Sequence, residues 1–428
     1  MIAWSSLDRR EWQLLALLGT AGFFNRYDEA LLSLLLVQIQ ADLGFAEASL
    51  GWLGSAIELG AIPSLALLVL ADRRGRRTVL LGTILGYTAC TAATALAPNA
   101  SFFLAAQFLA RTFLGAEFGL AIVVAVEELR PTNRAFGVGV LGTLSLAGHG
   151  AAMILFGFVD ELPYGWRALY AVGVLPLLAV AALRRGLPET REFQGLQSET
   201  ATHSGGWAQP FRTLLARYPA RCAAVSAVTL LWSFSNVSVD FFLPKFAQEV
   251  HGWSPGRFAT VAVLGGALGL TGQLLAGWLG DKRGRKSSTL FFFVMEPVCA
   301  ILLYSLGAGA FVTMYVLWVF GSVANDVLAR TYAGELFPTS ARATALGAVG
   351  VLATLGSALG LACESLLFGW LGTHWEAVRV LACAGLLMPF IVWWAYPETR
   401  GRALAEIAPE EITAQPGRAA AHSSDSSA

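Results

Sequence analysis

DRRGRR fills residues 72–77 and DKRGRK fills residues 281–286, and each follows an apolar run, PSLALLVLA at 63–71 and LLAGWLG at 274–280. The two copies lie 209 residues apart, and two further pairs recur in the same order. Glu128-Leu-Arg-Pro131 is repeated as Glu335-Leu-Phe-Pro338, and PETR at 188–191 is repeated at 397–400, with offsets of 207 and 209 residues. A near-constant offset of about half the chain implies two parallel copies of one architecture.

The composition says what those copies are made of. Of 428 residues 56% are hydrophobic and 14% charged, and the mean hydropathy is +0.60, outside the range of soluble domains. A hydrocarbon core about 30 Å thick takes roughly 20 apolar residues per helix. Twelve such stretches are expected, near 12–38, 48–70, 78–97, 101–127, 135–159, 166–183, 220–246, 255–280, 288–307, 309–334, 341–371 and 375–396. The runs are continuous and too long for the alternating strands of a membrane barrel. The fold class expected is an all-α membrane protein of 12 transmembrane helices. It divides into an N-terminal six-helix bundle at 1–183, a linker at 184–218 containing SETATHSGG, a C-terminal six-helix bundle at 219–399 and a tail at 400–428.

Lys and Arg gather in alternate loops: Arg73, Arg74, Arg76 and Arg77, then Arg130 and Arg134, then the segment 184–221, then Lys282–Lys286. The positive-inside rule places these loops, and with them both termini, in the cytoplasm. The first apolar run has no small-residue cleavage site, so no cleavable signal peptide is expected. The balance of Arg over Lys is read as a bacterial codon bias, which makes the expected location a bacterial inner membrane. The net charge of zero gives no ground for a nucleic-acid partner; the partners expected are the bilayer, a small-molecule substrate and protons, with the chain a monomer. Cys90, Cys222, Cys299, Cys363 and Cys383 have no metal-type spacing and read as small buried hydrophobes. The sequon Asn99-Ala-Ser101 carries no weight in so short a loop.

Over residues 12–410 the chain resembles a major facilitator superfamily transporter. Gly277-Trp-Leu-Gly-Asp281-Lys-Arg-Gly-Arg-Lys286 matches the superfamily signature completely, and in the first copy Leu68 replaces the leading Gly. YPETRGRALAEI at 396–407 is similar to the segment that closes the sugar-porter and organic-ion branches. In elementary terms, Asp72 and Asp281 are expected just before a helix start, where the helix dipole favours an anion, with the following glycine allowing a tight turn. Arg76 and Arg285 are expected to reach Glu128 and Glu335. Such pairs resemble the family's inner gate, with Arg134 and Arg342 beside it, and the alternative is that they are topology-setting charges only.

The first span raises a separate question, because FFNRYDEALLSL at 23–34 places Arg26, Asp28 and Glu29 in mid-membrane. A charge there costs on the order of 3 kcal/mol on the insertion scale, so these residues are expected to face protein or water. The resemblance implies that helices 1, 4, 7 and 10 line a central cavity. NRYD at 25–28 is similar to the Asp-Gly-Tyr-Asp of aromatic-acid:proton symporters, and QFLARTFLGAEFGLA at 107–121 is similar to a helix-4 segment of metabolite:proton symporters. Helix 4 thereby adds Arg111 and Glu117, helix 7 adds Asn236 and Asp240, and helix 10 adds Asn325, Asp326 and Arg330.

Arginine forks suit a carboxylate, so Arg26, Tyr27, Arg111, Asn236 and Asn325 are the expected substrate ligands. Asp28, Glu29, Glu117, Asp240, Asp326 and His149 are the expected proton-coupling groups. Set against this, Arg26 with Glu29 and Arg111 with Asp28 are equally readable as ion pairs that tie helices together. Glu58, Glu296 and Glu364 share that ambiguity, and Trp232, Phe234 and Trp318 read either as stacking platforms or as packing. The expected function is proton-coupled secondary transport of a small organic anion. An organic-cation carrier, a sugar porter and a non-transporting sensor stand as alternatives, although the sugar porters' Gln-rich helix-7 signature is missing. No enzyme is expected and no cofactor: Gly137-Val-Gly-Val-Leu-Gly142 fits G-x-G-x-x-G, but it has no strand before it and reads as close helix packing.

Overall fold

A computed structural model describes residues 7–130, 132–185, 209–402 and 404–408, and within them every regular element is helical. The first half contains α1 (Arg9–Leu34), α2 (Leu36–Leu43), α3 (Leu50–Leu59), α4 (Ser64–Arg74), α5 (Arg76–Ala95), α6 (Ala100–Glu128), α7 (Arg134–Phe156) and α8 (Trp166–Arg184). The second contains α9 (Gln209–Arg217), α10 (Pro219–Glu249), α11 (Pro255–Gly269), α12 (Thr271–Arg283), α13 (Arg285–Leu303), α14 (Ala308–Glu335), α15 (Thr339–Leu371), α16 (His374–Ala384), α17 (Met388–Ala395) and α18 (Leu404–Ile407). Among the described residues eleven helical stretches are long and apolar enough to cross a membrane. The 26-residue α1 is not one of the eleven; its centre carries Arg26, Asp28 and Glu29.

The elements begin and end where local chemistry stops the chain. Asp8 and Glu11 form a capping box on α1, Asn99 caps α6 by accepting from Phe102 N, and Ser254 caps α11. Asn99 of the sequon is therefore engaged as a cap. Two membrane-length stretches are interrupted: Gly60–Pro63 separates α3 from α4, and Leu270 separates α11 from α12. The carbonyl of Gly60 accepts from Thr112 Oγ1 at 2.7 Å, and that of Ala61 accepts from Ser64 Oγ at 2.6 Å. The expected linker is partly helical, since α9 packs Leu214 against α10 and α15. SETATHSGG and most of the expected tail lie outside the described residues.

Within the first half α1 packs on α6, α7 and α8, and α5 on α6 and α8; within the second α10 packs on α15, α16 and α17, and α14 on α11, α12 and α13. The halves meet along α3 with α15, α7 with α11 and α1 with α10. Small residues allow the closest crossings, as at Gly157, whose carbonyl lies against Gly256. The largest buried cluster, including Leu35, Phe103, Phe242 and Phe311, spans both halves at the end opposite the Arg-rich loops. Hydrogen bonds cross there too: Gln38 to Gln248 at 3.0 Å and Trp52 N to Ser365 Oγ at 3.0 Å. Trp370, Trp394, Leu274 and Leu175 point outward, which suits a protein whose solvent is lipid. Of the cysteines only Cys299 is buried, and Cys383 is exposed on α16, so the buried reading fails for that residue.

At the Arg-rich end the two repeats superpose in chemistry. Gly75 (φ 102°) and Gly284 (φ 109°) make the break between helices that the tight turn requires. Asp72 and Asp281, however, lie in the last turns of α4 and α12, four residues before Arg76 and Arg285, with which they pair at 3.2 and 3.0 Å. The anion at the start of α13 is Glu398, which accepts from Arg285 N at 2.9 Å and Lys286 N at 3.2 Å. Arg285 reaches Glu335 at 3.3 Å as expected. Arg76 reaches Glu127 at 3.2 Å, while Glu128 meets Arg10 at 3.3 Å. One residue is 100° of helix, so the neighbouring glutamate faces elsewhere. Arg134 donates to Leu129 O at 3.4 Å, and Arg342 is half-buried at the start of α15.

Candidate functional site

Between the halves lies a cavity of about 800 Å³ with an adjoining lobe of about 400 Å³. α1 brings Arg26 and Glu29 to it, α3 Glu58, α6 Arg111 and α7 His149; α10 brings Trp232, Asn236 and Asp240, and α14 brings Trp318, Ser322 and Asp326. Gly139 and Gly142 also line it, so of the three glycines in the G-x-G-x-x-G run only Gly137 packs tightly, against Leu129.

The charges on the first half form one chain of alternating sign. Arg26 Nη1 donates to Glu29 Oε2 at 2.7 Å, Arg111 Nη1 donates to Glu29 Oε1 at 2.6 Å, and Arg111 Nη2 reaches Glu58 Oε2 at 2.9 Å. Arg111 is therefore clasped between two carboxylates with a side chain 17% exposed, whereas that of Arg26 is 49% exposed. Both arginines border the cavity, but Arg26 is the one whose fork still opens into it. The partners of Arg111 are Glu29 and Glu58, where the sequence suggested Asp28.

Asp28, one residue before Glu29, is turned about 100° from it around α1, away from the main cavity. It is buried and accepts from Tyr87 OH and Thr91 Oγ1, both at 2.7 Å. It borders a small side pocket with Glu58 and Arg111, away from the main cavity. Three other expected residues also face away from it. Tyr27 is buried with its hydroxyl on Leu169 O at 2.9 Å. Glu117 is buried in an ion pair with Arg184 and accepts from Thr83 Oγ1 at 2.8 Å. Asn325 is buried, donating to Glu296 and to Phe292 O. Charge and amide type are visible in sequence, but the direction of a side chain around a helix that is apolar on all sides is not.

The second half offers the cavity rings and neutral donors. Trp318 Nε1 donates to Asn236 Oδ1 at 3.1 Å, and Asn236 Nδ2 to Ser322 Oγ at 3.2 Å. Trp232 Nε1 donates to both oxygens of Glu296 at 3.1 and 3.2 Å. Asp240 is exposed to the cavity, and its backbone carbonyl accepts from Ser33 of the other half at 3.4 Å. Asp326 pairs with Arg330 at 2.8 Å. One open guanidinium, two indoles, one amide with its hydroxyl partner and one open carboxylate thus converge on a single chamber.

A family model described as the Major Facilitator Superfamily matches residues 18–295 and again 271–420. The chain belongs to the major facilitator superfamily. As a member of it, the protein is a multi-pass transporter of a bacterial inner membrane and not an enzyme. It is 26% identical to a 4-hydroxybenzoate transporter of Pseudomonas putida over 416 residues, 90% of this chain and 91% of that one. It is 26% identical to a niacin transporter of Acinetobacter baylyi over 390 residues, 82% and 85% of the two chains. Its fold resembles the crystal structure of a D-xylose-proton symporter with TM-score 0.73 at 17% identity, covering 92% of this chain and 99% of the other.

Proposed function

We propose that this facilitator carries a small planar carboxylate by alternating access, coupled to protons. The observation that carries the reading is Arg26: it is the cavity arginine whose guanidinium still opens into the chamber, because Arg111 is taken up by Glu29 and Glu58. A fork of that kind meets a carboxylate with two parallel hydrogen bonds. Trp232, across the cavity, supplies a flat face for a ring, with an edge of the buried Trp318 beside it, and Asn236 and Ser322 supply polar atoms at its rim. The 4-hydroxybenzoate and niacin carriers among the relatives are named for planar aromatic acids, which supports the same choice.

Asp240 is the coupling carboxylate of this proposal. It faces the chamber and its carbonyl bonds across the halves, so its charge is felt where the halves part. His149 lines the same lobe as Arg26 and Asp240 and completes a route for the proton. The Arg-rich end faces the cytoplasm by the positive-inside rule. The named pairs at that end, Arg76 with Glu127 and Arg285 with Glu335, each stay within one half. Contacts that cross gather at the other end, so the arrangement is closed to the outside.

The test is counterflow in proteoliposomes with labelled nicotinate, 4-hydroxybenzoate and benzoate against an amine and a sugar. Saturable exchange of the acids, lost in Arg26→Gln, is the expected result. Exchange of the amine alone would overturn the carboxylate reading and make Asp240 a cation site.

A further inference from the structure

At the end opposite the Arg-rich loops the halves meet on ionisable side chains that the central cavity does not include. His374, the first residue of α16, is buried with Nδ1 2.6 Å from Glu364 Oε1 and Nε2 3.0 Å from Glu47 Oε2. Glu364 lies on α15 in the same half as His374, while Glu47 lies in the other half, just before α3. The ring is held between Phe242 and Phe368, with centroids 4.5 and 4.3 Å away, so it cannot turn either nitrogen aside.

The surrounding charges are settled without it. Glu47 Oε1 also takes Lys245 Nζ at 3.1 Å, and that fully buried lysine meets Gln40 Oε1 at 2.6 Å and the carboxylate of Glu249. On α16 itself Glu376 pairs with Arg379. Lys245 therefore sits with Glu47 and Glu249, and Glu364 has His374 alone. Glu364 Oε2 is buried and has no hydrogen-bond partner among the described residues.

Counting protons gives the rest. A neutral imidazole has one N–H, yet both nitrogens here face carboxylate oxygens at hydrogen-bond distance, which needs two hydrogens. The second one sits on the ring or on a carboxylate, and in either case the closed arrangement holds one proton more than a neutral histidine between two carboxylates. Once Glu47 is withdrawn, a single N–H satisfies the remaining Glu364–His374 contact and the extra proton is free to leave.

We propose that Glu364, His374 and Glu47 form a proton-operated latch on this end of the transporter, taking up one proton as the halves meet and releasing it as they part. The proposal rests on the alternating-access reading above and adds a proton site remote from Asp240.

The experiment needs no substrate. The full chain, with its five cysteines replaced by alanine and nitroxides at Ser101→Cys and Ser305→Cys, is placed in lipid nanodiscs. The distance across this end is then read by electron–electron double resonance from about pH 5.5 to about pH 8.5. The closed distance is expected to dominate at low pH, and its ratio to the open one to fall by up to about tenfold per pH unit, as one proton requires. His374→Gln, and Glu47→Gln at a half-exposed site, are expected to flatten that slope. A wild-type ratio of two distances that ignores pH overturns the latch and leaves alternating access standing. Variants that retain the wild-type slope overturn it as well, and one fixed distance at every pH overturns both.

Discussion

The two halves keep the same chemistry at one end and different chemistry in the middle. At the Arg-rich end, Gly75 and Gly284, Arg76 and Arg285, and Glu127 and Glu335 perform matched tasks. In the cavity the match disappears: at the 209-residue offset Arg26, Glu29, Glu58 and Arg111 correspond to Ser235, Ser238, Ala267 and Phe320. The Arg-rich end is built alike in the two halves, from the same turn glycine and the same Arg–Glu pair. In the chamber the first half supplies the guanidinium groups, Arg26 and Arg111, while the second supplies the rings, the amide of Asn236 and the carboxylates Asp240 and Asp326.

That division can be broken most severely where a first-half charge is pure scaffold. Arg184→Met strands the buried Glu117 and is expected to cost about 3–5 kcal/mol, seen as a large fall in melting temperature. The double variant with Glu117→Leu should recover most of it. Arg26→Gln sharpens the contrast: its own side chain is half-open to water and Glu29 keeps Arg111 as a partner, so stability should change by less than about 1 kcal/mol, while KM for the acid rises about 10- to 100-fold, as loss of a charged hydrogen bond predicts. Equal effects of these two variants on melting and on KM would erase the distinction between scaffold and ligand. Asp240→Asn should leave counterflow intact and abolish accumulation driven by a pH gradient; accumulation that persists removes Asp240 from the coupling path. The smallest effect is expected at the matched end, where Glu127→Gln should change the exchange rate a few-fold and Glu128→Gln less, because Arg76 leans on the former. The reverse order would restore the pairing that the repeat alone suggests.

Much of the architecture is legible in the sequence, because spans are set by length and hydropathy and the repeat by identity of residues. Asp28, Arg26 and Arg111 announce themselves as charges in oil. The partners of Asp28 and Arg111 do not, since Tyr87, Thr91 and Glu58 lie on other helices, 53 to 63 residues away in the chain, and meet them only through packing; Arg184, 67 residues from Glu117, is hidden in the same way. Asp281 shows the same limit: the anion at the start of α13 comes instead from Glu398, 113 residues along from Arg285. His374 offers no sequence signal at all, because its meaning depends on two carboxylates from two halves.

The interrupted stretches on the two helices that bridge the halves have a mechanical consequence. At Gly60 and Ala61 the freed carbonyls are already taken by hydroxyls, so the joint bends without baring backbone groups to hydrocarbon. On the alternating-access reading, such a joint would serve as a flexure bearing. One arm, α3, is packed on α15 while the other, α4, leads into the Arg-rich loop, and stiffening the joint with a continuous helix would be expected to slow exchange with the chamber intact.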